Sequence, residues 1–335
     1  MTLQGDPVAG GTVNGPDAAI NTITVTGSRV TIDGLTVTGG RNGITGVGAK
    51  GMTVRNSVAE NTGRTGIAYA FGASGTVDAS TIQNNPRDGV VVESASATVI
   101  NSLITQNGRS GVNLVDGASG RVGVDNRNLA AGNTISNNGG SGVNLFIGSA
   151  AFIAANTISG NGADPTLNRV GISVTSATAT IVGGNTITGH PGPGVSTRSA
   201  SVVIGDTSFG LSSVNTITGN GLAFPFGAGG VSGFLGSSFV IRDAVISGNT
   251  GSGVILSTSS TGQMFANTIQ NNTGDGIRLV FGSGLFLSGP NSAVTGNTGW
   301  GLNCSDGESS VVNTAFLNPV VPNALGGVNP ACTGF

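Results

Sequence analysis

Arg41, Arg64, Arg87 and Arg109 recur at intervals of 23, 23 and 22 residues, and Arg169 returns to the same slot further along. A guanidinium is a planar fork of donors that grips a carboxylate bidentately. A regular series of them reads as a track for an acidic polymer, such as a uronate-containing polysaccharide. The same recurrence also follows from repeat duplication at a solvated turn. Glu60, Asp88, Glu93 and Asp116 lie close enough in sequence to offset part of the charge. Arg87, Asp88 and Glu93 form the densest local group of chemistry-bearing side chains. If the chain is an enzyme, these three are its candidate catalytic residues, because carboxylates beside an Arg supply acid, base and anion-stabilising roles.

Other chemistry is sparsely supplied. His190 is the one His and sits in the turn His190-Pro191-Gly192-Pro193. That argues against a Ser-His-Asp triad and against a His-rich metal site. Asp33, Asp78, Asp125, Asp164, Asp206, Asp243 and Asp275 are dispersed, so no metal site and no cofactor are expected. The apolar pairs Phe146-Ile147, Phe234-Leu235 and Val280-Phe281 occupy matching positions. They read as corner packing under a turn, or as a partner or sugar-stacking surface. Outward Thr and Ser do not persist at one slot by spacing, which argues against an ice- or crystal-binding face.

These residues are carried by a repeat. A turn ending in Gly plus a branched apolar residue recurs at Ile44, Ile67, Val90, Val112, Val143, Ile172, Val195, Val231, Val254, Ile277 and Leu302. The base period is 23, and larger spacings mark insertions at residues 121–131, Ala163–Asn168, and Asp206–Val214 with Leu222–Phe226. Each unit carries three short alternating strands, the third marked by Asn-Thr-Ile at Asn133, Asn156, Asn185, Asn215 and Asn267. Such strands bury a face only by stacking coil on coil in parallel. The expected fold is all-β, a single-stranded parallel β-helix solenoid of about 11–12 coils of roughly 23 residues. Hexapeptide, leucine-rich and glycine-nonapeptide frames are missing. Inward ladders of anchors and of Asn-Thr-Ile isoleucines form the core. A polar ladder at Asn61, Asn84, Asn107, Asn137, Asn249, Asn271 and Asn297 reads as structural turn chemistry.

Composition agrees. Of 335 residues 60 are Gly, 8% are charged and 4% aromatic, and the net charge is −2. Disorder needs more charge, and nucleic-acid binding needs a basic excess, so no nucleic-acid partner is expected. Gly and Pro interrupt the uncharged stretch 207–241, which makes it a poor membrane span. No basic-then-apolar leader follows Met1. Residues 1–20 read as a partial coil or the remnant of a cap, 21–312 as the solenoid and 313–335 as a capping tail. Cys304 and Cys332 are expected to pair as a structural disulfide that staples the tail, with two buried thiols as the alternative. A disulfide implies an oxidising, extracellular setting.

The units Asn133-Thr134-Ile135-Ser136-Asn137-Asn138 and Asn156-Thr157-Ile158-Ser159-Gly160-Asn161 resemble the generic repeat of right-handed parallel β-helix proteins of the pectate-lyase-like superfamily. The resemblance covers about residues 20–305 and implies the handedness. It does not extend to the catalytic motifs of the polygalacturonase-like hydrolases, where the Asn-Thr motif continues to Asp; here it continues to Ile, with no Asp-Asp pair. Nor does it reach the Asp-Pro-His of the uronan epimerases, since Asp6-Pro7 leads to Val8 and Asp164-Pro165 to Thr166. Pectate lyases use a carboxylate cluster for Ca²⁺ with an Arg base, so Ca²⁺ enters only under a lyase reading around Arg87 and Asp88. The expected function is a non-enzymatic, secreted or cell-surface β-helix that contacts an extracellular polysaccharide or surface component along the Arg series. The alternative is a uronan lyase or glycoside hydrolase.

Overall fold

The computed structural model describes residues 1–5, 10–206, 210–212, 214–222, 229–304, 306–314, 317 and 322–334. The chain forms two compact units, Met1–Asn168 and Arg169–Phe335. In each, successive coils contribute short strands to three parallel sheets. One coil of the first unit shows the pattern: Ile67–Ala70, then Ser74–Asp78, then Thr81–Gln83. Each strand pairs in parallel with its equivalent one coil on, as Val90↔Val112, Ser74↔Ser96 and Thr81↔Leu103 do.

The anchors stack in register. Ile44, Ile67, Val90, Val112 and Val143 are at most 1% exposed in the first unit, as are Ile172, Val195, Val231, Val254, Ile277 and Leu302 in the second. Ile82, Ile104, Ile135 and Ile158 line another wall, and Val54, Val77, Val99 and Val122 the third. Burying each such side chain contributes about 1.5–3 kcal/mol. The Gly before each anchor is needed for close approach: a Cβ on Gly89 would meet Ile104 Cγ2 at 2.6 Å and the Gly111 carbonyl oxygen at 2.7 Å.

The polar ladder is real but is set differently from the expectation. Asn107, Asn249 and Asn297 are buried on it. Asn61, Asn84, Asn137 and Asn271 instead have left-handed φ of 50–55° and point to solvent. Their ladder slots are taken by Thr62, Asn85, Asn138 and Asn272, one residue on. In a run such as Asn137-Asn138, spacing alone does not say which amide turns inward. The inward amides form a continuous chain: Asn85 Nδ2 donates to Asn107 Oδ1 at 2.9 Å, Asn107 Nδ2 to Asn138 Oδ1 at 3.0 Å, and Asn138 Nδ2 to Asn161 Oδ1 at 2.8 Å. In the second unit the sole His occupies this slot: buried His190 donates its backbone N–H to Asn220 Oδ1. A second buried ladder runs through Asn133 and Asn156, preceded by Ser57, Ser80 and Ser102.

Both chain ends add strands. Thr2–Gln4 and Gly11–Gly15 pair with Thr31–Asp33 and Leu35–Gly39. Gly326–Val328 pairs with Trp300–Cys304, and Thr333–Gly334 with Ser310–Val312. Cys304 and Cys332 form a disulfide with Cα atoms 4.9 Å apart. The 121–131 insertion closes on itself through an antiparallel bridge, Val124↔Ala130, while Arg121 stacks over Phe152 at 5.2 Å. Parts of the third insertion, 207–209, 213 and 223–226, lie outside the described residues. No helix among the described residues is long and apolar enough to cross a membrane.

Candidate functional site

The slot three residues before the anchor is a turn whose backbone is tied coil to coil. Arg87 N–H donates to the Arg64 carbonyl at 2.7 Å, and Arg109 N–H to the Arg87 carbonyl at 2.9 Å. Gly63 N–H, beside Arg64, donates to the Gly40 carbonyl beside Arg41. Direct backbone bonding at the slot stacks the Arg residues one strand spacing apart, about 4.8 Å. Arg41 and Arg109 are exposed, while Arg64 and Arg87 are half-buried.

Their charges interact. Arg64 is held below the usual guanidinium range by partial burial first, then by repulsion from Arg87, Arg41 and Arg109, against a weaker pull from Glu93. None of the four guanidiniums makes a side-chain hydrogen bond or ion pair among the described residues. Arg55 shows the contrast, pairing with Asp33 at 2.9 Å. Of the nearby carboxylates, Glu60 accepts a bond from Gln83 Nε2 instead. Arg169 lies in the second unit, where its carbonyl accepts from Gly192 N–H.

The candidate group Arg87, Asp88 and Glu93 is not assembled as a catalytic cluster. The strand Val90–Glu93 separates the two carboxylates by about 10 Å of rise. Glu93 is exposed at its far end, while Asp88 is 6% exposed before its start. Asp88 Oδ1 accepts the Ser110 N–H at 3.0 Å. Burial pushes its carboxyl up, opposed by bonds from Ser110 and Asn113 and by the charges of Arg109 and Arg87. Asp275 repeats this turn chemistry in the second unit, accepting Trp300 N–H at 2.7 Å and Asn303 Nδ2 at 2.8 Å. The recurrence marks the Asp slot as a device for satisfying the next coil's turn amide.

Beyond Arg109 the column stops, because the next coil carries Gly140 in the Arg slot. There a cavity of about 170 Å³ opens, lined by Asp88, Arg109, Asn113, Ser141, Asn144 and Leu167 among others. Sequence reasoning missed it: Ser141, Asn144 and Leu167 carry no charge signal, and the 163–168 insertion had no visible destination. Among the described residues no group of three His, Cys, Asp or Glu is placed to hold a metal ion.

Two other surface expectations change. Phe146, Ile147, Leu235 and Phe281 are 41–65% exposed, so they do not pack under their turns, although Val280 is buried. Phe71, which the sequence reading passed over, is 75% exposed in the same slot. Phe71, Ile147, Leu235 and Phe281 all have left-handed φ, between 43° and 55°. Thr residues do persist at one slot: Thr31, Thr53, Thr76 and Thr98 are in register, the first three half-buried and Thr98 buried. The connection after Val90 is one residue shorter than those after Ile44 and Ile67, which hides the alignment from anchor spacing.

Comparison with known proteins gives the family. A family model described as "Right handed beta helix region" matches residues 17–129, 121–210 and 168–316. The chain belongs to the right-handed β-helix family. No curated protein sequence matches it. Among solved structures it is similar to the A-module of the Azotobacter vinelandii mannuronan C-5 epimerase AlgE6, at 16% identity over 86% of this chain and 80% of that one, with a TM-score of 0.47. The periplasmic alginate epimerase AlgG is 12% identical over 90% and 77%, with a TM-score of 0.42. Pectate lyase Pel9A is 14% identical over 92% and 71%, with a TM-score of 0.35. At these identities the likeness is one of fold.

Proposed function

We propose that this β-helix is a non-enzymatic extracellular module that binds an acidic polysaccharide along Arg41, Arg64, Arg87 and Arg109. One observation carries the reading. Four Arg residues occupy one slot in consecutive coils whose turns are tied by backbone bonds, their charges repel one another, and none has an ion-paired carboxylate among the described residues. Like charges so arranged repel, and a linear polyanion relieves that cost while gaining bidentate bonds. The Cys304–Cys332 disulfide fits an oxidising compartment.

The test is retention on polygalacturonate and alginate against neutral xylan, across a salt series, with newly formed chain ends followed in parallel. Wild type should be retained on the acidic polymers, with retention falling as salt rises. Arg64→Gln combined with Arg87→Gln should weaken it by about tenfold or more, at roughly 1 kcal/mol per lost contact. Equal retention on xylan, or an unaffected double variant, would sink the reading.

The alternative, a uronan lyase or glycoside hydrolase, draws on buried Asp88 between Arg87 and Arg109. It requires new chain ends from wild type and none from Arg87→Ala, with Ca²⁺ dependence if the enzyme is a lyase.

A further inference from the structure

We infer that the cavity beside Arg109 receives the terminal sugar of the bound polymer, so that the protein recognises chain ends rather than chain interiors. This rests on the polysaccharide reading above. The column is interrupted at Gly140, where a Cβ would fit only tightly, 3.2 Å from the Arg109 carbonyl carbon and 3.3 Å from Ser110 N. Over this gap the 163–168 insertion brings Leu167 and Asn168 to the cavity wall. The insertion is shaped by Asp164 Oδ1, which accepts Thr166 N–H at 2.8 Å and Thr166 Oγ1–H at 2.7 Å. The Ser141 hydroxyl donates to the Asn168 carbonyl, tying the wall to the coil that carries the gap. A polymer lying along the Arg residues meets this wall one coil past Arg109.

The chemistry changes at the same point. Along the column the side chains are cations, suited to carboxylates. In the cavity Asp88 lies near enough for the charge of Arg109 to act on it, and the remaining polar groups are neutral amides and hydroxyls. Asn144 Nδ2 donates to Asn113 Oδ1 at 2.9 Å, and the Asn113 side chain bonds Asp88, which fixes the orientation of each amide. Such a lining suits sugar hydroxyls rather than another carboxylate. A terminal residue differs from an internal one in this respect: it carries a free hydroxyl where an internal residue carries a glycosidic oxygen. A site built to hydrogen-bond a hydroxyl rejects the partner that lacks it.

The experiment compares polygalacturonate of about one hundred residues with a decasaccharide at equal uronate concentration, by equilibrium binding to the full chain. Ends per uronate rise about tenfold in the decasaccharide, so end recognition lowers its half-saturation, in uronate units, by up to about tenfold. Leu167→Trp, which fills the cavity from a surface insertion, and Asn144→Leu, which removes an amide, should each abolish that preference. Equal half-saturation for the two lengths in wild type overturns the inference, as does a preference that survives in both variants. Salt-sensitive binding of the long polymer without length preference leaves the Arg column standing and removes only the end site. Binding of neither length removes both.

Discussion

Asn137 and Asn138 are adjacent, chemically identical and opposite in role, so exchanging each separately measures what the amide ladder contributes. Asn138 is fully buried. Its Nδ2 donates to Asn161 Oδ1 at 2.8 Å and to the Ile104 carbonyl at 3.2 Å. Its Oδ1 accepts the Asn107 backbone N–H and Asn107 Nδ2, each at 3.0 Å. Asn138→Ala removes four bonds and orphans the Asn107 N–H. An orphaned buried donor costs about 1–3 kcal/mol and each of the three further lost bonds about 1 kcal/mol, giving about 4–6 kcal/mol before relaxation, of which the lower figure is used below. Asn137 has a left-handed φ of 54° and is exposed, so Asn137→Gly should cost no more than about 0.5 kcal/mol. Solenoids open coil by coil, so the readout is native-state amide hydrogen exchange rather than a single melting curve. The Asn107 amide should lose roughly a thousandfold of its protection in Asn138→Ala and stay near wild type in Asn137→Gly. Asn107 protection within tenfold of wild type in Asn138→Ala would refute the ladder argument, as would equal losses in both variants.

Reducing the Cys304–Cys332 disulfide opens a 28-residue separation and should destabilise the C-terminal coils by about 3.5 kcal/mol, read as faster proteolysis after residue 304. Asp88 has a folded-state carboxyl raised above its ordinary 3.8 by burial, so its ionised form opposes folding. Wild type should therefore gain stability relative to Asp88→Asn as pH falls through the raised value towards 3.8, and lose that gain above it. Paired denaturation series between pH 3 and 7 check the sign. Ile147 is β-branched, 50% exposed and held at a φ of 43°. Ile147→Asn should stabilise its coil by about 1 kcal/mol in local hydrogen exchange.

Much of the fold was legible because its determinants repeat. The apolar anchors recur coil after coil and the Asn-Thr-Ile isoleucines mark five of the coils, and parallel stacking converts that period directly into columns such as Val90, Val112 and Val143. The Arg series was legible for the same reason, since Arg87 and Arg109 inherit the register of their anchors. The Cys304–Cys332 pairing followed from two Cys and one core slot.

What tertiary structure decided is whatever depends on a one-residue choice or on an irregular segment. A backbone reverses the direction of its side chains with each residue, so Asn137 faces solvent and Asn138 the core, although both fit the period within error. A connection shortened by one residue hid the Thr31–Thr98 column. Asp88 and Glu93 are near in sequence yet separated by a strand, because extended chain carries neighbours apart as it crosses a face. The end of the Arg column was least legible of all. It depends on Gly140 having no side chain and on where the 163–168 insertion lands, and an insertion obeys no repeat from which its position is computable.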